Sequence, residues 1–72
     1  MRLENMELGK IYDGELKSFN RLFNTDEWLP IEIVKLSDGE IYRRMKGDRQ
    51  FYMMPPAFFD YDNVRFNVDG NR

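Results

Sequence analysis

The apolar positions of this chain recur with a period of two far more often than with a period near 3.6. From Trp28 onward, Leu29, Ile31 and Ile33 alternate with Pro30, Glu32 and Val34, the pattern of a strand that turns one face to a core. Asp38-Gly39 follows. Asp-Gly between two apolar-bearing segments predicts a tight hairpin, because Gly39 tolerates positive φ. The returning strand, 40–46, sets Ile41, Arg43 and Met45 on one face and Tyr42 and Arg44 on the other. A second turn at Lys46-Gly47-Asp48 leads into a strand over 49–54, and Val64, Phe66 and Val68 alternate with Arg65 and Asn67 to predict a last strand over 63–68. Upstream, 9–17 reads as a first strand with a bulge or bend at Gly14.

Glycines and prolines cut the chain into pieces shorter than an average helix. Residues 18–27 read as a long connection. Phe19, Leu22 and Phe23 have the spacing of a helical turn capped by Asn20 or Ser18, and they are expected to fold back over the body. Pro55-Pro56 ends the fourth strand, and Ala57-Phe58-Phe59 predicts a 3-10 or short helical turn. The expected architecture is one all-β domain over 1–72, with ends at 1–8 and 69–72 that fray. It takes the form of a five-stranded SH3-like barrel or a strongly curled antiparallel sheet, with one short helical turn. The order of element lengths resembles that of small SH3-like barrels, whose long first loop, tight central hairpins and helical turn before the last strand have counterparts at 18–27, 37–39, 46–48 and 55–60. The acidic and aromatic pairs with which peptide-binding SH3 domains hold proline-rich ligands are not recognisable. An OB-like barrel, which usually needs a longer chain, is the second choice.

Composition narrows the chemistry. A chain of 72 residues hides only about 60% of its unfolded surface, so most large side chains must serve the core. There is no Cys and no His, which removes disulfides, the usual zinc ligands, thiol nucleophiles and imidazole acid–base schemes. Asp60, Asp62 and Asn63 come nearest to a hard-metal loop but lack its glycine and distal glutamate. The glycines are isolated, without a phosphate-binding loop. No enzyme, cofactor or metal is therefore expected. Charges interrupt every apolar run of the N-terminus, which does not read as a signal peptide or membrane span. The expected location is cytoplasmic, in host cytosol if a phage or mobile element encodes the chain.

Two surfaces stand out. Residues 51–61 are apolar, aromatic or proline at every position except Asp60, more than an alternating strand can turn inward. Tyr52, Met54, Phe58, Phe59 and Tyr61, with Tyr42 at the rim, are the candidate partner-binding residues, for another protein or a homodimer. The bland counterpart is that 55–61 caps the open end of the barrel. Arg43, Arg44, Lys46 and Arg49 lie beside Tyr42, Phe51 and Tyr52 with Asp48 the one acid among them. They offer phosphate-binding cations next to stacking rings, the alternative reading as a nucleic-acid surface. Against it, Arg43 and Arg44 point to opposite faces of a strand, and the net charge is −2. The spaced acids Glu4, Glu7, Asp13, Glu15, Asp26, Glu27 and Glu32 admit mimicry of a phosphate row, for which the chain is too weakly acidic. Trp28 reads as a core or barrel-lip residue. The leading expectation is a non-catalytic interaction module, an accessory or regulatory protein that binds its partner stoichiometrically.

Overall fold

The computed structural model describes residues 1–67, the side chain of Phe58 excepted. Val68 and the end 69–72 lie outside the described residues. Five strands form one antiparallel sheet: β1 (Ile11–Asn20), β2 (Thr25–Ser37), β3 (Glu40–Met45), β4 (Tyr52–Met53) and β5 (Val64–Phe66), in the order β4-β3-β2-β1-β5. The sheet curls without closing, since β4 and β5 are its two edges and do not pair. A 3-10 turn at Pro56–Phe58 precedes β5, one residue earlier than the turn expected at Ala57-Phe58-Phe59, and a second covers Leu3–Asn5.

Alternation along each strand divides the sheet into two faces. On the inner face Tyr12 lies opposite Ile33, Gly14 opposite Ile31, and Ile41 opposite Lys35. With Met6, Met54, Phe59 and Val64 the apolar members form the buried cluster, and Ile31, Ile33 and Ile41 are sealed completely. Phe66 meets Tyr12 edge to face at 6.2 Å and stacks on Phe59 at 5.9 Å. The outer face is cross-linked by ion pairs. Glu32 faces Arg44 and Glu15 faces Arg65 in register, each ion pair at 2.8 Å, and Asp13 meets Lys46 at 3.4 Å.

Several local expectations are corrected. The 18–27 connection is neither a long loop nor helical, because β1 and β2 continue their ladder from Ile11↔Val34 out to Asn20↔Thr25. Gly14 makes no bulge. It stays in register with both neighbours, and its missing Cβ leaves space for the Arg65 carbonyl oxygen, 2.6 Å from where that atom would stand. The hairpin after Ser37 forms, but Gly39 is not at positive φ, and the register shifts between Lys35 and Ser37 instead. Gly47 does adopt positive φ, 98°, where the Asp48 N–H donates to the Met45 carbonyl. The strand expected over 49–54 shrinks to Tyr52–Met53.

The N-terminal residues, expected to fray, fold over the inner face. Met6 is buried, and the Lys35 ammonium, at the end of a buried stem, donates to the Leu3 carbonyl at 3.0 Å and meets Asp38 at 3.7 Å. The Tyr12 hydroxyl accepts the Glu7 N–H and that of Tyr61 accepts the Leu3 N–H, both at 3.0 Å.

Candidate functional site

The longest hairpin outruns the sheet. β3 reaches β2 in register only as far as Ile31, and β5 reaches β1 only as far as Leu16, apart from one further bond on each side, from the Lys46 N–H to the Pro30 carbonyl and from the Lys17 N–H to the Asn63 carbonyl. Residues 18–27 are therefore a two-stranded ribbon closed by Arg21-Leu22-Phe23-Asn24. Its tip is organised by polar groups. The Asn20 Oδ1 accepts the N–H groups of Leu22 and Phe23 at 2.9 and 3.4 Å, and its Nδ2 donates to Glu27 at 2.7 Å. Asn24 takes a φ of 55°, a left-handed conformation that asparagine tolerates better than most residues. At the ribbon's base Trp28 lies on the outer face, half-buried, with the Arg65 guanidinium 3.9 Å and the Lys17 ammonium 5.9 Å from its ring centre.

What this turn displays is apolar. Leu22 is 84% exposed, Phe23 68% and Phe19 55%. The three residues expected to fold back over the body instead stand away from it. Their spacing flagged an apolar group within a polar segment, but not the ribbon that carries it outward.

Among the described side chains, those of 51–61 do not form one patch. Met54 and Phe59 are buried in the core. Tyr61 leans on Phe59 at 4.6 Å, with the Arg2 guanidinium 4.5 Å above its ring. Tyr52, 59% exposed, lies on the inner face beside Arg43. Tyr42 is on the outer face, half-buried, and donates its hydroxyl to Glu40 at 3.0 Å. That hydrogen bond, aided by burial and the carboxylate's charge, raises the phenol above its ordinary pKa. The segment 55–59 thus caps one end of the sheet with Phe59, leaving Tyr52 and Tyr61 apart.

The basic residues are dispersed as well. Arg44 pairs with Glu32 and lies 4.3 Å over the Phe51 ring, and Lys46 is held by Asp13. Arg43 faces the opposite side of the strand, and Arg49 is exposed in the irregular stretch after Gly47. The four cations do not form a common surface. Among the described residues no group of three or more Asp or Glu side chains is placed to hold a metal ion, and no helix is long and apolar enough to cross a membrane. The Asp60 carboxylate instead closes its own turn, accepting the Asp62 N–H at 2.9 Å and the Asn63 side-chain amide at 2.5 Å. No protein-family profile, curated protein or solved structure matches this chain.

Proposed function

We propose that this chain is a non-catalytic interaction module, an accessory or regulatory protein that acts by stoichiometric binding to another protein or to a second copy of itself. We further propose that the tip of the β1–β2 ribbon is its principal contact. The observation that carries the reading is the exposure of Leu22 and Phe23 on a turn whose backbone is held by Asn20. A turn fixed before binding loses little conformational entropy on association. Burying the two side chains in a partner contributes about 3–5 kcal/mol before association costs. We also read the curled meander, with its 3-10 turn before the last strand, as an SH3-like barrel left open between β4 and β5.

The test is a photo-crosslinker at Leu22 in cell extract, with sedimentation of the purified chain. One defined adduct, or a crosslinked dimer, that disappears when Phe23→Ser is added supports the reading. A strictly monomeric protein with no adduct at the tip overturns it.

A further inference from the structure

The unclosed seam between β4 and β5 is floored by an unusual residue. Arg43 faces inward from β3, half-buried, directly across from Ile33 on one side and Tyr52 on the other. Among the described residues its guanidinium has no hydrogen-bond or ion-pair partner. Asp48 and Asp60 line the seam toward its two ends, and neither is within ion-pair distance of it. Two crevices meet at Arg43 and Leu16: one of about 170 Å³ against Ile31 and Met45, the other of about 340 Å³ against Met54 and Val64. Even the smaller exceeds the roughly 150 Å³ that accommodates a benzene ring in a protein core.

The seam's walls offer backbone groups. The Met54 N–H donates to the Ile41 carbonyl, so by antiparallel alternation the N–H and C=O of Met53 point away from β3. On β5 the bonds from Lys17 to Asn63 and from Asn67 to Asp13 turn the Phe66 N–H and the Val64 C=O away from β1 in the same manner.

We infer that the seam binds an extended peptide segment carrying an acidic side chain flanked, two residues to each side, by apolar ones. Free strand edges recruit an extended chain by main-chain hydrogen bonding. Its period of two sends alternate side chains to the floor. There the order across the two crevices is apolar, cationic, apolar. A carboxylate at the central position gives Arg43 the charge-assisted partner it lacks, and Asp48 and Asp60 favour basic residues outside the apolar pair. This site is separate from the ribbon tip and does not rest on it.

The probe is a fluorescein-labelled peptide, Lys-Thr-Val-Thr-Glu-Thr-Val-Thr-Lys, titrated with the full chain by anisotropy beside the same peptide with Gln in place of Glu. The expected result is saturable binding of the Glu peptide, weakened by about tenfold or more in the Gln peptide. Arg43→Met should abolish that preference, while Leu22→Ser and Arg49→Met leave it intact. Equal affinity for the two peptides, or no binding of either at millimolar concentration, overturns the inference. Should Arg43→Met fail to fold, the Glu-against-Gln contrast on the unaltered protein still decides.

Discussion

Replacing Gly14 with alanine sets two effects against each other. A Cβ at this position would lie 2.6 Å from the Arg65 carbonyl oxygen and 3.3 Å from Ile33 Cδ1. The isoleucine methyl can rotate, but the carbonyl belongs to the backbone of β5, which must retreat by about 0.8 Å to reach the 3.4 Å of ordinary contact. β5 is three residues long and held to the sheet only by β1, so the retreat stretches its bonds at Lys17–Asn63 and Asp13–Asn67. Overpacking of this kind costs about 1–3 kcal/mol. Removing glycine from a strand interior returns about 0.5–1 kcal/mol. The clash wins, with a net loss of about 1–2 kcal/mol, which lowers the Tm of a domain this size by about 5–15 °C. Urea unfolding followed by the fluorescence of Trp28, which sits under Arg65, measures the loss. Faster amide exchange confined first to Lys17 and Asn67 locates it. A Gly14→Ala protein as stable as the original would refute the assignment of this glycine to close strand approach.

Further outcomes follow from other contacts. Asn20→Ala removes the acceptor for two turn N–H groups and should cost about 1 kcal/mol, read by urea unfolding, with exchange at Leu22 and Phe23 accelerating most. Phe59→Ala opens the core and should cost about 3–5 kcal/mol, whereas exposed Tyr52→Ala should stay within about 0.5 kcal/mol; calorimetry of the pair separates cap from surface. Tyr42, its phenol raised by Glu40, favours the protonated form when folded. Its contribution to stability is present below the ordinary phenol value of 10.0 and lost as pH rises through the folded-state value. Phenolate absorbance should show Glu40→Gln titrating one tyrosine earlier than the unaltered chain.

The strands and the cap were legible where the information is local. Period-two alternation marked Leu29 to Ile33, Asp38-Gly39 marked a hairpin, and Ala57-Phe58-Phe59 after the proline pair marked a 3-10 turn. Residues 18–27 were not legible, because the i, i+3, i+4 spacing of Phe19, Leu22 and Phe23 is shared by a helical turn and a ribbon tip. What decides between them is where β3 and β5 stop, a property of distant pairing. The same holds for the cations. Adjacent Arg43 and Arg44 look alike in sequence, and only the register that sets Glu32 opposite Arg44 leaves Arg43 without a partner among the described residues. Likewise Met54 and Phe59 could not be told from Tyr52 and Tyr61 until the inner face of the sheet was closed over them.

The ribbon also works as a spacer. Four residue pairs, Lys17↔Trp28 to Asn20↔Thr25, carry the turn of Leu22 and Phe23 about 13 Å or more past the Leu16–Leu29 row, the last that β5 reaches in register. The tip therefore projects from the sheet at a different place from the seam beside Arg43. The number of rungs in the first hairpin sets the separation of the two proposed contacts. Adding or deleting a pair of rungs would change that separation by about 7 Å and leave both proposed contacts as they are.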